Sequence, residues 1–221
     1  MIEWLAAPGR PNGLPAAWLI DLTTPELRRA ALAMPPTPDD LRRAASRPEP
    51  ERESVLARRG LVRLCVAAAL GADAARIAIL WSPAGAPLLG EPFADYRLSW
   101  AQRERHFACA LARTPVGIDI DIEIGDGGEI PWNVLHPRED EALRAAPSAE
   151  RETLFLRVWA AKEAYVKALG EGLRRDPAEF AVILSKDEAS ASIEDPHEAQ
   201  RNRARIAFAP IPHGVAAVAL R

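Results

Sequence analysis

Cysteine is scarce in this 221-residue chain: there are two, Cys65 and Cys109, and each lies within an apolar run. Two such cysteines form no disulfide framework and show no metal-ligand spacing, and they are typical of small core residues. This usage fits a reducing compartment and predicts a cytoplasmic location. The start of the chain, MIEWLAAPGRP, has no basic segment followed by an apolar stretch, so we expect no signal peptide.

Long apolar runs and an excess of charge of one sign are missing as well. No segment approaches the roughly 20 apolar residues that a membrane-spanning helix needs, so no membrane partner is expected. The formal net charge of −3 gives no reason to expect nucleic acid as a partner. There is no P-loop and no G-x-G-x-x-G segment, which disfavours the standard nucleotide-binding folds. The four histidines show no pairing with cysteine or serine, so nucleophilic catalysis by such a pair is not expected.

What is present is the composition of a folded protein with a full core, 48% hydrophobic and 27% charged residues. Two segments are similar in sequence: RLCVAAALG ends at Gly71 and KEAYVKALG ends at Gly170. Each is a helical pattern followed by a glycine and then a strand. This similarity predicts an α+β fold of two similar halves, 1–105 and 106–221. Two lobes within one chain favour a monomer.

The periodicity of apolar residues divides the chain into elements. Strands are predicted at 16–22, 75–81, 96–100 and 179–185, with one or two closing strands in IAFAPIPHGVAAVAL. Helices are predicted at 53–70, 137–146 and 150–170. Proline-rich or polar composition predicts connectors at 34–51, with one helical turn, and at 186–205. The segment 106–125 predicts a hairpin around the turn ARTP.

The segment GIDIDIEIG, residues 117–125, alternates strictly between isoleucine and acidic side chains. In a strand, Asp119, Asp121 and Glu123 share one face and the isoleucines share the other. A plain edge strand with a solvated acidic side is one interpretation. The other is a site for Mg²⁺, which takes oxygen ligands and is held by one or two carboxylates together with substrate phosphates.

A second motif, VWAAKEAYVKALGEGL, places Glu163 between Lys162 and Lys167 on an otherwise apolar helix. Alone, it is explained by a surface ion pair at i, i+4. Together with the acidic strand, it makes Glu163 the candidate for a third metal ligand. The two lysines are then candidates for contacts with phosphate oxygens.

The two motifs together closely resemble the paired signature of 4′-phosphopantetheinyl transferases of the surfactin-synthetase-activating type. That signature is G-[IV]-D-[IV]-E followed by W-[ST]-x-K-E-[AS]-x-x-K, and the matching segments here are VGIDID and WAAKEAYVK. VLHPREDEAL resembles the F-S-x-x-E segment of the family, SPAGAPLL its G-K-P turn and YRLSWA its N-L-S-H-S strand. The resemblance covers about residues 52–185.

The resemblance implies two α+β subdomains related by a pseudo-twofold, with coenzyme A in the cleft between them. It implies a holo-[acyl-carrier-protein] synthase-type enzyme that moves the phosphopantetheine arm of coenzyme A to a serine of an acyl or peptidyl carrier protein, with release of 3′,5′-ADP. It implies Mg²⁺ bound by Asp119, Asp121 and Glu163. It further implies that Glu163 helps to deprotonate the serine, directly or through a bound water, and that Lys167 contacts the pyrophosphate.

Contacts with coenzyme A are implied for five residues: Lys162, Lys167, Gly85, Pro87 and Ser99. The sequence also departs from the family pattern at three positions: Asp121 stands where glutamate is usual, Ala86 where lysine is usual, and Trp100 where histidine is usual. In the family that histidine and nearby lysines hold the 3′-phosphate of coenzyme A.

Several arginines of the first half are candidates to replace these contacts: Arg52, Arg58, Arg59, Arg63 and Arg97. Stacking of the Trp100 indole on adenine is another compensation, and burial of Trp100 in the core is the plain alternative. Two further functions therefore stay open. One is a non-catalytic relative that binds a carrier or another protein, and the other is a different Mg²⁺-dependent phosphotransferase or hydrolase that uses the same carboxylates.

Overall fold

The computed structural model describes residues 2–123, 129–170, 175–198 and 204–221, and within these ranges it contains eleven strands and five α-helices. The strands are β1 (Glu3–Leu5), β2 (Ala16–Asp21), β3 (Ile79–Trp81), β4 (Pro87–Leu89), β5 (Arg97–Arg103), β6 (His106–Ala112), β7 (Val116–Ile122), β8 (Ala181–Leu184), β9 (Ser190–Glu194), β10 (Arg205–Ile211) and β11 (Gly214–Leu220). The helices are α1 (Pro25–Leu32), α2 (Pro38–Ala45), α3 (Glu49–Leu70), α4 (Pro137–Ala145) and α5 (Ser148–Leu169).

The described strands form two sheets, with the orders β1-β2-β6-β5-β4-β3 and β7-β11-β10-β9-β8. Only the β1–β2 pair is parallel among them. The hairpin predicted for 106–125 is wrong, because β6 and β7 belong to different sheets. Both edges of β6 are already hydrogen-bonded, to β2 and to β5, so β6 has no free edge for β7.

The change of sheet lies between Ala112 and Val116, whereas the predicted subdomain boundary lies at Arg105. The division of the chain into two subdomains stays a prediction, and the sheets favour placing the boundary at this later position.

Two sheets that face each other, each with a long helix on its outer side, make up the layers of the fold. One core lies between α3 and the first sheet, and another lies between α5 and the second sheet. Between the sheets the buried residues are mostly alanines, together with Ile118 and Ile120 of β7. These layers confirm the α+β class. The pseudo-twofold stays a prediction, although α3 and α5 both span 22 residues and both end at left-handed glycines, Gly71 and Gly170.

Most predicted elements are present, and the differences have local causes. The predicted strand 75–81 begins only at Ile79, because Asp73 caps a short 3-10 helix at Ala74–Arg76. The connector predicted for 34–51 contains α2, which Thr37 and Asp40 start with a reciprocal capping box. The polar connector at 186–205 contains β9, while its residues 199–203, like Ile124 of the acidic strand, lie outside the described ranges. None of the described helices has the length and apolar character needed to cross a membrane.

Gly117 on β7 is the point where α5 lies closest to the second sheet. A Cβ at this position would lie 1.9 Å from the carbonyl oxygen of Ala164 and 2.6 Å from the backbone nitrogen of Ala168. Both atoms belong to the helix backbone and cannot move aside independently. A residue without Cβ is therefore required here, and it lets the acidic face of β7 lie directly against α5.

We expect Gly117→Ala to lower the free energy of unfolding by about 3 kcal/mol or more, because overpacking against a rigid backbone is costly. Urea unfolding measures the change. Gly13→Ala is the matched control, since a Cβ there meets nothing within 4 Å. Equal stability losses in the two variants would contradict this role of Gly117.

Asp40 at the start of α2 is fully buried and joins this helix to α3 through ion pairs with Arg59 and Arg63. Burial by itself raises the pKa of Asp40. Hydrogen bonds from the Thr37 backbone and from Arg59, together with the charges of both arginines, outweigh burial and lower the pKa below its ordinary value of 3.8. A lowered pKa in the folded state means that ionised Asp40 stabilises the fold above this pH.

The stability that Asp40 contributes should therefore be lost as the pH falls through about 3.8 and then through the lower pKa of the folded state. In Asp40→Asn the free energy of unfolding should fall less steeply with decreasing pH over this range. Urea unfolding at a series of acidic pH values measures the slope. Asp95→Asn, at an exposed position, should keep the wild-type slope; parallel curves for wild type and Asp40→Asn would exclude the linkage.

Candidate active site

The acidic face of β7 lies against Glu163 and Lys167 of α5. The Nζ atom of Lys167 lies 2.6 Å from Oδ1 of Asp119 and donates a second hydrogen bond to the Ile118 carbonyl at 3.0 Å. Asp121 is buried, and its Oδ1 accepts a hydrogen bond from Nη2 of Arg103 on β5 at 3.0 Å. Each aspartate is thus held by one cation.

Glu163 is the third carboxylate of this group. It is half-buried, and the described residues give it no hydrogen bond and no ion pair. Burial raises the pKa of Glu163, and the charges of Asp119 and Asp121 raise it further, against the lowering effect of Lys167. The pKa of Asp121 is also raised, first by burial and in part by Asp119, although Arg103 acts in the opposite direction. The three carboxylates are therefore close enough to repel one another.

Within the described ranges, no three acidic, histidine or cysteine side chains are arranged as a ready metal site. The Asp119 and Asp121 carboxylates form ion pairs with Lys167 and Arg103. Mg²⁺ does not require such a closed cage, because it keeps several waters and is bound through one or two carboxylates together with phosphates. Asp119, Asp121 and Glu163 offer the carboxylate oxygens that this ion prefers, and Glu163 forms no ion pair among the described residues, so Mg²⁺ binding here stays a prediction.

A cavity of about 230 Å³ lies beside Lys167 and connects the two halves of the chain. It brings together four of the five residues predicted to contact coenzyme A: Gly85, Pro87, Ser99 and Lys167. We call it the central cavity. Its remaining lining residues are Trp81, Ala84, Ala86, Leu98, Trp100 and Gly170.

Two of these residues are held by specific local structure. Gly85 adopts φ +85°, a conformation that favours glycine, within a turn in which its backbone nitrogen donates to the Ser82 carbonyl. Ser99 is buried, and its Oγ accepts a hydrogen bond at 3.1 Å from the backbone nitrogen of Ile118. Because Ser99 belongs to the first sheet and Ile118 to the second, this bond ties the sheets together at the edge of the central cavity.

Lys162 does not face the central cavity, which corrects the prediction of a phosphate contact. Its side chain is fully buried, and its Nζ contacts the carbonyl oxygens of Pro177 and Phe180 at 2.6 and 2.7 Å and Oε2 of Glu139 at 2.9 Å. An ammonium group has three donors, so none remains for a phosphate. Adjacent helix residues are rotated by about 100° about the axis, which turns Lys162 into the core while Glu163 faces β7.

Two residues of this region, Arg103 and Glu139, were not predicted from the sequence. Arg103, the partner of Asp121, lies beyond the segments that carried the family resemblance and has no local signal. Glu139, the partner of Lys162, is the acidic residue of the segment that resembles F-S-x-x-E, so the motif indicated the residue but not its contact with Lys162.

A second cavity, of about 670 Å³, lies on the Asp121 side and is lined in part by Arg103, Phe155 and Trp159.

Comparison with known proteins agrees with this geometry. The family model described as "4′-phosphopantetheinyl transferase superfamily" matches residues 115–209, which include β7 and α5. The 4′-phosphopantetheinyl transferase HetI of Nostoc sp. is 32% identical over 166 residues, covering 72% of this chain and 69% of HetI. A 4′-phosphopantetheinyl transferase of Bacillus subtilis is 31% identical over 140 residues, covering 62% of each chain.

The 4′-phosphopantetheinyl transferase Sfp of Bacillus subtilis (strain 168) is 28% identical over 139 residues, covering 62% of this chain and 61% of Sfp. The similarity to these relatives spans 139 to 166 residues and is therefore longer than the two motifs. The chain has the acidic strand, the helix with Glu163 and Lys167, and the central cavity. Together with these similarities, they show that the chain belongs to the 4′-phosphopantetheinyl transferase superfamily.

Proposed function

We propose that this protein is a Mg²⁺-dependent transferase of the holo-[acyl-carrier-protein] synthase type. It moves the 4′-phosphopantetheine arm of coenzyme A to a serine hydroxyl of an acyl or peptidyl carrier protein. The observation that carries the proposal is the meeting of Asp119, Asp121, Glu163 and Lys167 beside a cavity built from both halves of the chain.

Lys167 positions the pyrophosphate of coenzyme A. Two of its three donors are used by Asp119 and by the Ile118 carbonyl, and within the described ranges the third has no acceptor and can reach a phosphate oxygen. Gly85 and Pro87 form the wall for the nucleotide, because a turn without side-chain bulk lets backbone approach a ligand closely. The reaction depends on positioning and charge neutralisation more than on covalent chemistry by the enzyme.

In the transfer step, the serine oxygen forms a bond to the β-phosphorus of coenzyme A. The bond from that phosphorus to the bridging oxygen breaks, and 3′,5′-ADP leaves with the electron pair. Glu163 accepts the serine proton, directly or through a bound water; it lies half-buried beside Asp119 and Asp121, and burial and these charges raise its pKa, which favours proton acceptance.

Asp119, Asp121 and Glu163 would hold the Mg²⁺ ion, which when bound neutralises charge on the pyrophosphate. The three residues repel one another when ionised, so a divalent cation among them removes an unfavourable interaction. Residues from both halves of the chain line the central cavity, and we propose a monomer as the active unit. The two free, buried cysteines support a cytoplasmic location.

Mass spectrometry tests the proposed function. The purified chain is incubated with Mg²⁺, coenzyme A and a panel of apo carrier proteins from fatty-acid, polyketide and nonribosomal-peptide systems. We expect at least one carrier to gain the mass of one phosphopantetheine arm, and to gain nothing when Mg²⁺ is replaced by a chelator. No mass gain across the panel would reject the proposal in favour of a non-catalytic relative.

A further inference from the structure

Arg103, the last residue of β5, reaches from the first sheet to Asp121 on β7 of the second. β7 lies at the edge of its sheet: one of its edges pairs with β11, and the other pairs with no strand among the described residues. β5 lies along this free edge, where the Ser99 side chain accepts a hydrogen bond from the backbone nitrogen of Ile118. Four residues later, on the same face of β5, Arg103 donates to Asp121. The first half of the chain therefore holds a predicted metal ligand of the second half.

The hydrogen bonds of the Asp121 carboxylate use only one of its two oxygens. Oδ1 accepts from Nη2 of Arg103 at 3.0 Å and from the backbone nitrogen of Ile122 at 3.1 Å. Within the described ranges, no donor forms a hydrogen bond to Oδ2. An ionised carboxylate has about four lone-pair sites on its two oxygens. Oδ1 is therefore fully used, and Oδ2 is the atom that remains for a cation.

Arg103 has two opposite effects on a cation bound by Asp121. Its positive charge repels the cation, whereas its hydrogen bond fixes the rotation of the Asp121 side chain. The Arg103 side chain is 55% exposed, so water and salt screen its charge, and the repulsion is weak. The Asp121 side chain is only 8% exposed, and a hydrogen bond to a carboxylate that water reaches poorly is stronger. The orienting effect is therefore the larger one.

We infer that Arg103 is a positioning residue of the metal site, which holds Asp121 so that Oδ2 is presented to Mg²⁺. The inference rests on the proposed function, which assigns Asp121 to the ion. In this role Arg103 contacts neither the ion nor a substrate and acts only through Asp121. Hydrogen-bonded partners of this kind orient ligating carboxylates, and their removal typically costs about 10–100-fold in metal affinity or activity.

Isothermal titration calorimetry tests the inference, with MgCl₂ titrated into the full chain and coenzyme A in the absence of carrier. We expect Arg103→Met, which keeps the apolar stem but removes the donors and the charge, to weaken Mg²⁺ binding about 10-fold or more. Arg103→Lys, which keeps a donor and the charge, should weaken it by about 3-fold at most. The affinity for coenzyme A in a chelator should be the same in wild type and both variants, whereas damage to the fold would lower it.

Arg105→Met is the matched control. Arg105 lies in the turn between β5 and β6, and its side chain is 51% exposed, but it pairs with Asp21 of the first sheet and not with the acidic strand. The control removes the same charge from nearly the same place and should keep the wild-type affinity for Mg²⁺. Equal weakening in Arg105→Met and Arg103→Met would overturn the inference, because the contact with Asp121 would then not be the cause.

Unchanged Mg²⁺ affinity in Arg103→Met would also overturn the inference, and so would tighter binding, which would show that repulsion by the guanidinium outweighs its hydrogen bond. Either result leaves the proposed transfer intact, since that is judged by the mass gain of a carrier. A wild type that binds no Mg²⁺ would overturn both the positioning role and the Mg²⁺ dependence of the proposed function. A carrier panel without mass gain, combined with the expected weakening in Arg103→Met, would reject transfer and keep the positioning role.

Discussion

Glu163→Gln is expected to lower the rate of phosphopantetheine transfer by about 10²–10⁴-fold, the range typical for removal of a general base. The amide has the same shape as the carboxylate but can neither accept the serine proton nor add negative charge to the metal site. Glu163 has no hydrogen bond or ion pair among the described residues, so the fold should keep its stability. Mass spectrometry of carrier at timed intervals measures the rate, and thermal unfolding measures the fold.

The matched control is Glu150→Gln, which removes the same charge from the exposed first turn of the same helix. We expect the control to transfer at the wild-type rate. If Glu163→Gln kept more than a tenth of the wild-type rate, Glu163 would not be the base.

Lys162→Met should have the largest effect on stability, a decrease of about 3–5 kcal/mol in the free energy of unfolding. Methionine fills much of the same space but leaves Glu139 buried without its cation. Burial lowers the pKa of Lys162, and the charge of Glu139 raises it, so each of the two groups depends on the other. Denaturant unfolding measures the loss.

Two comparisons separate this structural role from the predicted phosphate contact. Lys186→Met, at an exposed lysine, should change stability little, and adding Glu139→Gln to Lys162→Met should restore part of the loss by removing the unpaired charge. The folded fraction of Lys162→Met should bind coenzyme A with wild-type affinity. A stable Lys162→Met variant with weakened coenzyme A binding would restore the original prediction.

The acidic strand shows how far local patterns determine a site. Alternation in a strand has a period of two, so Asp119 and Asp121 had to share a face whatever the fold. The helix period likewise put Glu163 and Lys167 on one side, and Gly117 allows that side to lie against the strand. The face that each residue occupies was predictable, because it depends on the periodicity of a single element.

Lys162 and the strand β6 are cases in which local sequence patterns do not determine the contacts. Whether Lys162 faced a ligand or the core depended on Glu139 and on the carbonyls of Pro177 and Phe180, which approach it only in the folded chain. The apolar run of β6 is equally compatible with a hairpin arm and with a central strand. Pairing with β2, which lies about ninety positions earlier in the sequence, makes β6 a central strand. Arg103 also reaches Asp121 through a contact between the two sheets, and nothing near it in sequence indicates that partner.

The most direct measurement is the affinity for coenzyme A with and without Mg²⁺, in the wild type and in Asp119→Asn, Asp121→Asn and Glu163→Gln. If these three carboxylates hold one ion against the pyrophosphate, Mg²⁺ should strengthen coenzyme A binding in the wild type, and each substitution should remove most of that gain. If Mg²⁺ does not change the wild-type affinity for coenzyme A, or if the Mg²⁺-dependent gain in affinity remains in all three variants, the carboxylates do not share an ion.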